Sequence, residues 1–142
     1  MPDHPQRELH CVVVTPEKAL LDEAADFVAV PMFDGELGVL PGRAPLIGRL
    51  GFGELRIRRG MEVRRFFVEG GFVQVRANTV TVLTSKALRA EDIDTTAVSH
   101  SLQAALAPAP TPQASEEQLN TQQRARAQLR VARHCEENTA RG

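Results

Sequence analysis

The sequence predicts an α+β chain in which an N-terminal antiparallel β-sandwich is followed by a C-terminal two-helix hairpin. Three observations carry this. As far as Ser85, short apolar runs are bounded by turn residues, and several alternate with period two. After about Ala90 the apolar residues recur at helical spacing. The proline-rich run Ala107-Pro108-Ala109-Pro110-Thr111-Pro112 then separates two helical stretches. The expected boundaries are residues 1–88 for the sandwich and 89–142 for the helical part, with a linker at 107–114.

Phe27-Val28-Ala29-Val30-Pro31-Met32 is apolar at successive positions, as in a strand covered on both faces, with Pro31 confined to an edge or a bulge. From Asp34 to Ile57, turn glycines and prolines alternate with short apolar pieces. Gly35, Gly38 and Gly42 allow tight turns or close backbone approach, while Pro41 and Pro45 fix φ, so a stiff exposed loop is expected here. Leu55 and Ile57 face inward while Arg56 and Arg58 face out, and Val73 and Val75 alternate with Gln74 and Arg76 in the same way. Two sheets with one wet face each therefore pack together. Within Arg76-Ala77-Asn78-Thr79, Asn78 is best able to adopt φ > 0, which predicts a hairpin.

The first helix carries Ile93, Ala97, Val98, Leu102, Ala105 and Leu106 on one stripe, with Asp92 as N-cap and Asp94 near the positive end of the dipole. The prolines bar its continuation and make a semi-rigid linker. Ser115-Glu116-Glu117-Gln118 fits a capping box, opening a second helix over Leu119 to Glu137 whose apolar positions are sparse: Leu119, Leu129 and Val131. Arg124, Arg126, Arg130 and Arg133 give it a basic middle between Glu116-Glu117 and Glu136-Glu137. That pattern suits an acidic partner groove. It also suits a solvated face carrying an Arg133–Glu137 pair worth about 0.3 kcal/mol.

A chain of 142 residues with 42% hydrophobic content forms one modest domain plus an appendage. The net charge of -1, from 17 basic and 18 acidic residues, excludes a general nucleic-acid or anionic-membrane binder. Cys11 and Cys135, near opposite ends, imply no disulfide framework and a reducing compartment. Met1 to His10 has neither a signal core nor a transit pattern, and no window approaches the roughly 18 apolar residues of a membrane span, so a soluble protein is expected.

Catalytic readings find little footing. His4, His10, His100 and His134 lack metal-ligand spacing, and His134-Cys135 is neither Cys-x-x-Cys nor His-x-x-x-His. Gly48-Arg49-Leu50-Gly51-Phe52-Gly53 lacks the Lys-Ser/Thr of a phosphate loop and reads as a bend between strands. Ser85 and Ser99 have no identifiable base, and Asp22, Glu23, Asp26 and Asp34 are expected as turn carboxylates. The cluster Arg56, Arg58, Arg59, Arg64 and Arg65 reads as outward alternation on two adjacent strands.

The segment DGELGVLPGRAP, Asp34 to Pro45, closely resembles the DGELGVLPGHAP signature of the epsilon subunit of F-type ATP synthases. Val12 to Pro31 and Arg65 to Ala87 agree with the same family, and the resemblance covers about the first two thirds of the chain. It implies a non-catalytic central-stalk subunit that binds the gamma subunit and the membrane rotor ring and couples proton flow to ATP synthesis. It implies no cofactor or metal, no nucleic-acid partner, no direct membrane insertion, and a peripheral position on the cytoplasmic face of the bacterial plasma membrane. Glu36 stands where the family places an acidic residue near the polar loops of the ring, and Gly38, Pro41, Gly42 and Pro45 shape the partner-binding loop. Arg43 replaces the usual His at a position associated with the gamma interface, keeping a donor but losing a charge that switches near neutral pH.

In bacterial members the C-terminal helices fold against the sandwich or extend along gamma towards the alpha/beta ring, where they inhibit hydrolysis. The resemblance thereby gives Arg124, Arg126, Arg130 and Arg133 to an inhibitory helix. The family's nucleotide motif, Ile/Leu-Asp-x-x-Arg-Ala, is matched at Ile93 and Asp94, but Ala97 and Val98 replace its last two residues. Without that guanidinium, ATP binding by the isolated chain is expected to be weak or absent. From the residues alone, a free-standing β-sandwich module with a recruiting helical tail remains the alternative.

Overall fold

The computed structural model describes residues 8–141, with side chains to Glu136; the readings of His4 and of the Arg133–Glu137 pair fall outside the described residues. The chain runs through β1 (Leu9–Val14), β2 (Ala19–Ala25), β3 (Phe27–Met32), β4 (Gly35–Val39), β5 (Leu46–Arg49), β6 (Phe52–Arg59), β7 (Glu62–Glu69), β8 (Phe72–Arg76), β9 (Thr79–Leu83) and β10 (Ala87–Arg89). A 3₁₀ turn at Ala90–Asp92 leads into α1 (Thr95–Ala105) and α2 (Pro112–Arg141).

The strands form two five-stranded sheets, ordered β2-β1-β9-β8-β5 and β10-β7-β6-β3-β4. Their pairings are antiparallel apart from β1 with β9, which run parallel. Alternation sets the core between the sheets. Cys11, Val13, Val73, Val75, Val80 and Val82 from the first sheet meet Val28, Val30, Leu55, Ile57, Phe66 and Val68 from the second. Burial pushes the Cys11 thiol up from 9.0 to about 12, with the Glu23 carboxylate adding to the effect, so it is an inert core residue.

Pro31 is accommodated by a bulge inside the sheet. Pairing of β3 with β6 stops at Ala29↔Arg56 and resumes only in the bridge Met32↔Leu50, so the missing proline N–H falls outside the ladder. The hairpin between β8 and β9 turns through Ala77 (φ 50) and Asn78 (φ 62), both left-handed, the geometry of a two-residue type I′ turn.

β3 is buried at the successive positions Val28 to Pro31, as expected of a strand covered on both faces, and β7 is covered on both faces as well. Phe66 and Val68 enter the sandwich, while Phe67 points the other way into a second core with Ala90, Ile93, Ala127, Val131 and Ala132. That core fastens the helices to the outer face of the second sheet, where α2 packs over β6 and β7.

The helix starts differ from those read in the sequence. Asp94, not Asp92, caps α1, accepting from the Ala97 N–H at 3.1 Å, because Asp92 is used in the preceding 3₁₀ turn. α2 begins at Pro112 rather than after a capping box at Ser115: Thr111 Oγ1 accepts from Ala114 N–H at 3.1 Å, and Pro112 takes the first helical position, where no donor is needed. The connection between the helices is correspondingly shorter than 107–114. On α1, Ala105 is buried and Val98 and Leu102 half-buried, whereas Ala97 and Leu106 are exposed.

Candidate partner-binding surface

The signature segment divides into a strand and a loop. Gly35–Val39 is β4, an edge strand paired with β3, so Glu36 and Gly38 lie on the sheet rather than in the expected single loop. Glu36 and Pro41, five residues apart, are separated by at most about 17 Å of chain. Gly38 has a packing reason for being glycine: a Cβ there would stand 3.0 Å from the Phe27 ring. That ring also lies under the guanidiniums of Arg56 and Arg58, at 5.9 and 5.3 Å. Glu36 pairs with Arg56 in its own chain, Oε1 to Nη2 at 3.4 Å.

The loop proper contains Pro41, Gly42 (φ 88), Arg43 and Pro45. Gly42 donates its N–H to Asn78 Oδ1 at 2.8 Å, which ties the loop to the β8–β9 turn. Arg43 is exposed. Asn78 thus holds a left-handed turn and a loop together. Asn78→Ala is expected to lower stability by about 2 kcal/mol, combining the left-handed backbone penalty with a lost hydrogen bond. Native-state exchange of the Gly42 amide would also accelerate; unchanged exchange would mean the loop is held by other contacts.

The helices cover the second sheet and leave the outer face of the first bare. Register places Val14, Leu83, Phe72 and Arg49 in one row across it, with Val12, Thr81, Gln74 and Ile47 in the next. Ile47 is 76% exposed, Phe72 53% and Leu83 47%. Three large apolar side chains on one flat, unpartnered face are a recognisable docking surface. Sequence reading missed it, although Phe72 shares the outward phase of Gln74 and Arg76.

The four arginines of α2 do not act together. Arg126, Arg130 and Arg133, spaced i, i+4, i+7, are exposed along one stripe. Arg124 turns to the sandwich, where its Nε lies 2.5 Å from Glu69 Oε1 and its guanidinium sits over Phe52 at 5.6 Å. The buried stripe of α2 is mostly alanine: Ala125, Ala127 and Ala132, with Val131 and Gln128. Leu119, one of the helix's sparse apolar positions, is 53% exposed.

A polar contact joins helix and sheet as well. Glu54 on β6 accepts from Arg65 Nη1 at 2.7 Å and Arg56 Nη1 at 3.3 Å, and its other oxygen meets His134 Nδ1 of α2 at 2.8 Å. Sequence reading assigned Glu54 no role, since nothing local announces a charge hub built from two strands and a helix. Among the described residues no group of His, Cys, Asp and Glu is placed to hold a metal ion. No helix among them is long and apolar enough to cross a membrane.

The chain is a small β-sandwich with one bare apolar face, a tethered signature loop and a helical hairpin folded on its other sheet. Residues 8–90 match the family model for the ATP synthase delta/epsilon chain, beta-sandwich domain. The chain belongs to the ATP synthase epsilon chain family. It is 49% identical over 126 residues to the ATP synthase epsilon chain of Rhodopirellula baltica, spanning 88% of this chain and 98% of that one. It is 45% identical over 89 residues to that of Nitratidesulfovibrio vulgaris, where the match spans 63% of this chain and 66% of the relative.

Among solved structures, a chain in the Euglena gracilis mitochondrial ATP synthase, resolved as OSCP/F1/c-ring, shares the fold with TM-score 0.72 at 20% identity, covering 98% of this chain and 86% of that one. A chain in the central stalk/c-ring of the Tetrahymena thermophila enzyme does so with TM-score 0.62 at 18% identity, covering 87% and 96%.

Proposed function

We propose that this chain links the gamma subunit to the membrane rotor ring, couples proton flow to ATP synthesis, and restrains ATP hydrolysis through its C-terminal helices. The observation that carries the reading is the division of labour between the two sheets: the helices occupy one, and the bare face of the other presents Phe72, Leu83 and Ile47. That face takes gamma. The signature strand and loop, with Glu36, Gly38, Pro41, Gly42, Arg43 and Pro45, supply the remaining partner contacts at gamma and the ring. The protein then sits as a peripheral subunit on the cytoplasmic face of the plasma membrane.

The brake follows from how lightly the arm is held. Each buried alanine methyl contributes only about 0.8 kcal/mol, so a stripe dominated by alanine docks α2 without fixing it. Released, α2 would carry Arg124 together with the already exposed Arg126, Arg130 and Arg133 to the alpha and beta subunits.

Co-purification tests the assembly. The chain is expected to appear stoichiometrically with alpha, beta and gamma, and Phe72→Asp to weaken gamma binding about 30-fold while leaving the exposed site's own fold intact. Gamma binding unaffected by this charge would remove the first sheet from the interface.

A further inference from the structure

The bare face of the first sheet is graded along its strands. One end of it holds Phe72 and Leu83, and the other holds His10, Thr79 and Arg76, about 13 Å away along β8. At that polar end Asn78 gathers separate segments: its Oδ1 accepts from the Gly42 N–H and its carbonyl from the His10 N–H, each at 2.8 Å. The tether brings Arg43, next to Gly42, and Arg76, two residues before Asn78, to one corner of the face, and both are exposed. Neither forms an ion pair among the described residues, although Glu8 just ahead of β1 and Asp22 on β2 are acidic. Asp22 is engaged by His10. Arg49, level with Phe72 at the apolar end, lies over the Phe33 ring at 5.1 Å.

A partner that covers this corner takes water from both guanidiniums, and a desolvated charge is tolerated only when it is paired. We propose that Arg43 and Arg76 form a carboxylate-reading corner of the gamma interface, an assignment that rests on the reading that the bare face takes gamma. The gamma element on this face then carries an apolar side chain over Phe72 and Leu83, and an Asp or Glu about 13 Å further along β8, opposite the two guanidiniums. Arginine suits the task, because its planar fork meets both oxygens of a carboxylate and stays charged at any physiological pH. The apolar end supplies contact area. The cationic corner fixes direction and register, since a reversed gamma element would set its carboxylate on apolar side chains and leave the guanidiniums unpaired.

The test is binding of the full chain to an alpha, beta and gamma assembly that lacks it. R43E/R76E is expected to bind at least about tenfold more weakly at low salt, with the gap narrowing at high salt as screening grows. R58E makes the same kind of charge reversal on the outer face of the second sheet and is expected to bind within about twofold of the unsubstituted chain. An unaltered urea midpoint reports that the reversed chain is folded; if it is not, R43Q/R76Q replaces it, with a loss of at least about threefold expected. R76K keeps the charge and supplies an amine, so a water-soluble carbodiimide is expected to join it through an amide to an Asp or Glu of gamma. F72D separates the two levels. If F72D weakens binding while the arginine variant binds normally, or while R76K gives no gamma-linked product, the corner is overturned and the bare face stands. Normal binding by F72D and the arginine variant alike would remove the bare face and the corner together. An equal loss in R58E would assign the effect to overall charge and overturn the corner as well.

Discussion

Replacing Glu54 with alanine is expected to destabilise the folded chain by about 3 kcal/mol or more and to loosen the helical arm. The Glu54 side chain is 10% exposed and its partner Arg65 13%, so the substitution takes a close carboxylate away from a poorly hydrated cation. Arg56 and His134 lose the same carboxylate. His134→Ala removes only the helix side of the hub, at a side chain 40% exposed, and is expected to cost less than about 1 kcal/mol. Both variants are expected to speed alkylation of Cys135, which packs against the second core. Chemical denaturation reads the first effect and thiol labelling the second. A Glu54→Ala variant of near-normal stability with unchanged Cys135 labelling would show that the hub does not hold the arm.

Gly71→Ala carries the second large effect. Gly71 has φ +107, and a Cβ built on it would stand 2.0 Å from the Leu83 carbonyl oxygen and 2.8 Å from Thr84 Cα. Backbone cannot yield by that much without parting β8 from β9, so a loss of about 4 kcal/mol or failure to fold is expected. The neighbouring Gly70 makes the control. Its φ is +69 but nothing lies within 4 Å of the added methyl, leaving only the left-handed penalty of about 1 kcal/mol. Equal losses at the two positions, measured by urea denaturation, would contradict the steric account.

Much of this was legible wherever the side-chain period alone decides the outcome. Leu55 and Ile57 are buried and Arg58 exposed, and Val73 and Val75 alternate with exposed Gln74 and Arg76, because a strand with one wet face leaves no other arrangement. The hairpin at Asn78 was legible for the same local reason, although Ala77 shares its left-handed geometry with no sequence signal.

What escaped depends on contacts between distant segments. Gly35–Val39 looked like loop because its glycines mark turns, yet Gly38 is small to admit the Phe27 ring and the segment pairs as an edge strand. The docking face of α2 escaped because alanine is a helix former first and an apolar residue second. Only packing against Phe67 gives that stripe its meaning. Asp92 and Ser115 were both sound caps by residue type, and each lost to a competitor a few residues away.

The central claim is a rotor subunit whose arm acts as a brake, and it is met most directly by the ATP hydrolysis rate of the synthase assembled with a chain ending at Ala90. That end coincides with the limit of the family's sandwich domain and removes both helices. The account predicts faster hydrolysis than with the full chain, at equal incorporation of the shortened subunit. An unchanged or slower rate at equal incorporation would contradict it.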